Sequence, residues 1–291
     1  MRIALLVFLV ACGRNEVDRE RAAKLFKEIE VKTAPGLSGL AVDDGDGIWT
    51  IAERDARAYR ITLDAQDKPT LETFVVEGIP PKIDLEGIAW LGPDKFALGT
   101  EGKIDGLATV LLAERRGQSL VVTRTIDLPE EKIGIRLPSN HGAEGVCGQG
   151  DAIIVAIEAV GTAGGKRFAP IVRIQNAEIV HIHRLWLTTK IGKLSALDCT
   201  IAPDGTAKVL AIERHFTVTK ILEFTLPTTE GDITPTEVLD LGTVLNSRLN
   251  LEGIAVTRSG RVVAVVDNQW KTLQGPSVLV LFHPGVVKMR Q

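Results

Sequence analysis

The sequence predicts an all-β protein: a β-propeller of five four-stranded blades, its ring closed by an N-terminal strand. Three observations carry this reading. A unit recurs five times, each unit holds strand-like apolar runs, and small residues stand where blades would crowd together. A six-bladed ring is the alternative, but no gap between units is long enough to hide a further blade.

The first half of the unit reads Leu37-Ser38-Gly39-Leu40-Ala41. It returns as Leu85-Glu86-Gly87-Ile88-Ala89, Ala143-Glu144-Gly145-Val146-Cys147, Leu197-Asp198-Cys199-Thr200-Ile201 and Leu251-Glu252-Gly253-Ile254-Ala255. The anchors Ser38, Glu86, Glu144, Asp198 and Glu252 are 48, 58, 54 and 54 residues apart. The second half is an apolar run ending in an acid: Ile48 to Glu53, Phe96 to Glu101, Ile153 to Glu158, Val209 to Glu213 and Val262 to Asp267. Each acid falls 14 or 15 residues after its anchor.

The anchor opens strand one and the apolar run is strand two. Strand three reads as Ala58–Leu63, Ala108–Glu114, Pro170–Ile174, Lys220–Leu226 and Ser277–Phe282. Strand four reads as Leu71–Glu77, Leu120–Leu128, Ile179–Leu187 and Thr236–Leu241. Val, Ile and Leu fill these runs, with Gly, Pro and Asp between them. One residue past each anchor stand Gly39, Gly87, Gly145, Cys199 and Gly253, and three past it Ala41, Ala89, Cys147, Ile201 and Ala255. These positions share one strand face, and small residues there let neighbouring sheets approach. The fifth unit lacks a fourth strand, which Leu25 to Thr33 are expected to supply. Glu16 to Glu30 is the one stretch that looks helical.

The first residues suggest export. Met1-Arg2 precedes an apolar run from Ile3 to Ala11, too short to span a bilayer. Leu9-Val10-Ala11-Cys12 resembles a bacterial lipobox, whose Cys carries the lipid. The expected organisation is a signal peptide over 1–11, a tether over 12–22 and a single propeller over 23–291. A membrane anchor through Cys12 then puts the protein in the cell envelope. Gly13 rather than Asp follows that Cys, which favours the outer over the inner membrane. Cys147 and Cys199 form no CxxC motif. Export would allow them to pair, but two buried free thiols is the preferred expectation.

Of 291 residues, 45% are hydrophobic and 24% charged, with a net charge of -3 and 4% aromatics. That balance speaks against a nucleic-acid partner. No GxSxG supports a nucleophile-elbow hydrolase, and Gly161 to Lys166 is a hairpin loop rather than a P-loop. His181 and His183 share one face of an outer strand, where a solvated edge is expected rather than a metal.

Strand one starts where strand two ends, so both acid sets should gather at one end of the ring. Glu53, Glu86, Glu101, Glu144, Glu158, Asp198, Glu213, Glu252 and Asp267 are the candidate metal ligands, and Ca²⁺ is the expected cation by donor chemistry. Nearby bases are Arg54, Lys82, Lys103, Lys193, Arg214 and Arg248; Asn140, His141, His215, Asn250 and Asn268 add neutral donors. Lys82, His141, Arg214, His215 and Arg248 are the residues expected to hold a small anionic ligand. A protein partner is the other candidate.

The ordered series Leu37-Ser38-Gly39-Leu40, Asp84-Leu85-Glu86-Gly87-Ile88-Ala89, Ala143-Glu144-Gly145-Val146, Leu194-Ser195-Ala196-Leu197 and Leu251-Glu252-Gly253-Ile254-Ala255 resembles the bacterial SdiA-regulated propellers. It also resembles the related "esterase-like activity of phytase" domains. Leu197-Asp198-Cys199 departs from their pattern, with Cys in place of Gly. The resemblance implies an exported propeller with calcium. The function expected is a ligand- or partner-binding module at the acidic mouth. The alternative is a metal-dependent phosphoester or carboxylester hydrolase.

Overall fold

The structure is a computed structural model that describes residues 20–215, 218–242, 244, 250–268 and 275–287. The expected lipid site Cys12 and the candidate Arg248 lie outside the described residues. The chain is all-β. Among the described residues, helix is confined to residues 20–25 and a short turn at Glu130–Ile133. The first gives way to strand β1 (Phe26–Val31), so the helix expected over Glu16 to Glu30 ends early. Strand wins there because Phe26, Ile29 and Val31 are buried against the last strand of the chain.

The described strands form four sheets, and their antiparallel pairing divides these into five groups built on four strands each, two of them joined in one eight-stranded sheet. The first is β2 (Leu37–Val42), β3 (Ile48–Ala52), β4 (Arg57–Leu63) and β5 (Pro69–Glu77). The second is β6 (Ile83–Gly92), β7 (Lys95–Gly102), β8 (Leu107–Arg116) and β9 (Ser119–Pro129). The third is β10 (Ala143–Gln149), β11 (Ala152–Ile157), β13 (Lys166–Gln175) and β14 (Glu178–Trp186), with a short β12 (Gly161–Ala163) on β13. The fourth is β15 (Lys193–Ile201), β16 (Ala207–His215), β17 (Val218–Leu226) and β19 (Thr236–Asp240). The fifth is β20 (Asn250–Val256), β21 (Val262–Asp267), β22 (Ser277–Phe282) and β1, which pairs antiparallel with β22 from Phe26↔Phe282 to Val31↔Ser277. The N-terminal strand therefore closes the last group, as the orphan segment predicted. Two parallel contacts tie outer edges: β5 on β9, and β14 on β18 (Asp232–Ile233).

Each group packs both faces against neighbours, which explains the continuous apolar runs. All six residues of β21 are buried. The core is five separate clusters, one between each pair of adjacent blades. Trp49, Phe74 and Phe96 meet in one of them, Trp49 lying 4.8 Å from Phe74 and 4.7 Å from Phe96. Near the axis the inner strands touch through backbone. A Cβ on Gly87 would sit 2.6 Å from the Glu144 carbonyl oxygen. Gly39, at φ +60, would place one 2.6 Å from the Ile88 nitrogen. Ser38 and Ser195 carry the same contact as hydrogen bonds, donating to the carbonyls of Glu86 and Leu251 on the next inner strand.

Two sequence expectations change. Cys147 and Cys199 are joined by a disulfide, with Cα atoms 5.7 Å apart. They lie on β10 and β15, the adjacent inner strands of blades three and four, where the ring brings them together. His183 is not on a solvated edge. It is fully buried, and its two ring nitrogens have no hydrogen-bond partner among the described residues. The parallel pairing of β14 with β18, at Arg184↔Asp232, covers what the repeat made an outer edge.

Candidate acidic site at the channel mouth

Every inner strand has a register irregularity at its start. It falls between Ser38 and Ala41, Leu85 and Gly87, Ala143 and Gly145, Leu194 and Ala196, and Leu251 and Gly253. A bulge re-aims a side chain out of the ladder. The skipped residues are Glu86, Glu144, Ser195 and Glu252, with Ser38 at the start of its own. The true anchor of blade four is therefore Ser195, and the repeat read from Asp198 is three residues out of register.

The second acids shift likewise in blade four. Glu101 pairs with Asp84 and Asp267 with Asn250, one step beyond Leu85 and Leu251. The same step in blade four pairs Arg214 with Lys193, while Glu213 pairs with Leu194. Glu213 is fully buried and turned to a loop. It accepts the backbone N–H and hydroxyl of Thr188 at 2.9 and 2.7 Å, and those of Thr189 at 3.0 and 2.5 Å. Asp198 lies at the opposite end of the channel. Of the nine expected ligands, the structure gathers Glu53, Glu86, Glu101, Glu144, Glu158, Glu252 and Asp267 at the mouth. Blade four brings two bases instead of two acids.

Those bases are engaged. Arg214 makes a two-pronged contact with Glu252, its Nε donating at 2.9 Å. Lys193 pairs with Glu158. Asn250 donates to Glu252 at 2.8 Å and to Asp267 at 3.1 Å. Burial pulls both the Lys193 and the Arg214 pKa down, and the surrounding carboxylates pull them back up. Glu53, Glu86, Glu101 and Glu144 accept no side-chain hydrogen bond among the described residues. Burial, then neighbouring carboxylates, pushes Glu53 up to about 8 and Glu86 well above the usual range. Burial pushes Glu101 up as well, and Glu144 to about 7, with Lys193 opposing. One oxygen each from Glu101, Glu144 and Glu158 lie within 4.8 Å of one another.

The remaining candidates ring this cluster loosely. His141 is half-buried near Glu101, with Nδ1 3.2 Å from the Ser139 carbonyl. Lys82 and Lys103 are exposed, and Arg54 stands 4.0 Å from Asp84. His215 ends β16, next to Arg214. Asn268 is a latch, accepting Gly36 N–H at 2.8 Å and donating to Gly275 at 2.6 Å. The exchange of acids for bases in blade four was readable from Leu194-Ser195-Ala196-Leu197, which matches Leu37-Ser38-Gly39-Leu40 better than Leu197-Asp198-Cys199 does.

Seven acids against two half-buried bases form a hard, oxygen-rich cage with more carboxyls than bases. Such a cage suits a divalent cation, and Glu101, Glu144 and Glu158 are the residues that would hold it.

Solved structures share the fold. The exo-beta-1,3-galactanase from Phanerochaete chrysosporium matches with 8% identity and a TM-score of 0.56, over 88% of this chain and 64% of that one. The GH43B protein of the Bacteroides ovatus xyloglucan PUL matches with 10% identity and a TM-score of 0.51, over 87% of this chain and 54% of that one. No curated protein matches the chain. A family model described as "Phytase-like: Esterase-like activity of phytase" matches residues 32–269, from just before blade one to just past the second strand of blade five. That span holds the five inner strands and the acidic mouth, and the chain belongs to the phytase-like, esterase-like-activity-of-phytase family.

Proposed function

We propose that the acidic mouth is a calcium centre that binds an anionic ligand, carried on a lipid-anchored protein of the cell envelope. The carrying observation is the cluster of Glu101, Glu144 and Glu158 oxygens within 4.8 Å of one another, beside Glu53 and Glu86, which accept no side-chain hydrogen bond among the described residues. Like charges at this density hold protons or a cation. Lys193 and Arg214 leave most of the charge unmet, and a Ca²⁺ there would bind oxygens from blades two and three at once. An anionic ligand would complete the metal's shell, with Lys82, His141 and His215 on the surrounding loops and strand ends as its further contacts; Arg248, outside the described residues, is the remaining candidate from the sequence. The disulfide fits an oxidising compartment. In this reading 1–11 is a cleaved signal, Cys12 the lipid site, 12–22 the tether and 23–291 the propeller. The net charge of -3 leaves nucleic acid out.

The experiment is thermal unfolding of the mature protein with Ca²⁺ and with chelator. Binding to the folded state alone adds about 2.7 kcal/mol at a hundredfold excess over Kd. Melting is expected to rise with Ca²⁺, and Glu144→Gln to blunt the rise. Glu114→Gln, on the outer part of blade two, leaves it intact. Unchanged melting, with no metal retained on purification, overturns the reading.

The family supports a second reading, ester hydrolysis. A bound cation would polarise a phosphoryl or carboxyl ester oxygen. Glu53, held protonated to about pH 8, is then placed to give a proton to a leaving group. Phosphate esters, carboxyl esters and lactones assayed with Ca²⁺ and with chelator test it. Chelator-sensitive turnover lost in Glu144→Gln would favour the enzyme, and no turnover the binding module.

A further inference from the structure

The inner strands form a second ring at their C-terminal ends. Three residues past the five anchor positions stand Ala41, Ala89, Cys147, Asp198 and Ala255. Four are small and apolar, and blade four alone puts a carboxyl there. Ala41, Ala89, Cys147 and Asp198 of this ring wall a cleft of about 990 Å³ that also takes in Leu40, Ile88, Val146, Leu210 and Val256, with Lys208, Glu223 and Arg258 among its charged lining residues. No carboxylate of the acidic mouth lines it. Its volume lies within the range of small-molecule sites, which are apolar with a few placed polar groups.

Asp198 is the carboxyl of the cleft's inner ring. Its Oδ2 accepts the Val256 N–H at 2.9 Å and its carboxyl also accepts the Cys199 N–H, and the structure records no Lys or Arg pairing with it among the described residues. The other aspartates of the wall are matched. Asp43 is held by Arg60 at 2.6 Å, by the Trp49 indole at 2.8 Å and by Gly47 N–H at 2.8 Å. Asp44 pairs with Arg258. A carboxyl in an apolar ring without a cation costs stability that an alanine, as in three other blades, would not. Burial pushes it up to about 7, so a cation arriving beside it would regain that cost.

We propose that this cleft binds a small organic cation, an ammonium group on an apolar body, with Asp198 as its counter-ion. The apolar body would lie against Leu40, Ile88, Val146 and Leu210. The site is separate from the acidic mouth and does not depend on metal there.

Benzylamine serves as the probe and benzyl alcohol as its uncharged counterpart, each titrated calorimetrically into the mature protein at pH 8. Benzylamine should bind at least about tenfold more tightly than the alcohol, and Asp198→Asn should remove that advantage. Thr200→Trp, at an exposed position on the same wall, should weaken both compounds by narrowing the cleft. It decides the matter if Asp198→Asn does not fold. Absence of benzylamine binding overturns the proposal. So does equal affinity for amine and alcohol, or amine binding that neither substitution changes.

Discussion

At their N-terminal ends the inner strands gather Glu86, Glu144 and Glu252 with four acids from neighbouring strands, answered by Lys193 and Arg214. At their C-terminal ends the same strands carry Ala41, Ala89, Cys147 and Ala255, with Asp198 as the one acid. Blade four inverts its neighbours at both ends: bases where they have acids, and an acid where they have small apolar groups. The difference shows how burial treats charge. A crowd of carboxylates can share bases and protons among its members. A solitary carboxyl has no such recourse.

Removing the base that blade four contributes should break the acidic end most severely. Arg214→Leu leaves Glu252 buried without its partner, and loss of one member of a buried pair costs about 3–5 kcal/mol. Chemical denaturation measures this. A change below about 1 kcal/mol would show that Glu252 takes a proton instead, and Arg214 would lose its structural role.

The opposite end is clamped by the disulfide between blades three and four. Cys199→Ser, or reduction, should cost about 2–4 kcal/mol for a closed loop with a sequence separation of 52. The same denaturation series reads it. Equal stability of reduced and oxidised protein would mean that inner-strand packing alone holds those blades together.

The two kinds of buried group should respond to pH in opposite directions. Glu53, Glu86 and Glu144 have raised folded-state pKa values, so the folded state binds more protons than the unfolded one. Their contribution is fully present below about pH 4.5 and is lost as pH rises towards about 8. Ca²⁺ should flatten that decline by replacing the protons. His183 is depressed by burial first, then by His181 and Arg173, with Glu230 opposing. Its contribution is present above its unfolded pKa of about 6.5 and falls as pH drops below it. His183→Leu should therefore soften the acid limb and leave the alkaline decline in place. Melting followed from pH 4 to 9 with and without Ca²⁺, at about unit steps, separates the two. An apo stability that rises through neutral pH would contradict the raised carboxyl pKa values.

The smallest effect is expected at Ser195, the neutral residue in blade four's anchor place. Ser195→Ala removes one hydrogen bond to Leu251, 3.0 Å long, worth about 1 kcal/mol. Ser195→Glu, by contrast, adds a carboxyl beside Lys193 and Arg214. If it stabilises rather than destabilises the protein, the bases of blade four are under-used as they stand.

The repeat itself was legible because propeller blades bury both faces. Runs such as Val262 to Asp267 and Ile153 to Glu158 stay apolar along their length, and Gly39, Gly87, Gly145 and Gly253 recur where backbones touch. The closing strand was also legible, since the fifth unit lacked a fourth strand and Leu25 to Thr33 had no unit of their own. These are local consequences of strand geometry, so the amino-acid order alone determined the all-β ring, its closure and the end at which most carboxylates meet. Register in blade four was decided by tertiary structure. There an acid at the usual spacing, Glu213 after Asp198, mimicked the repeat, while hydrogen-bond pairing set Ser195 and Arg214 in those places. The Cys147–Cys199 bond, the covering of His183 by β18 and the separation of Asp198 from the other acids have the same origin. Each depends on which strand of one blade faces which strand of the next, a relation between residues far apart in the chain that no local spacing encodes.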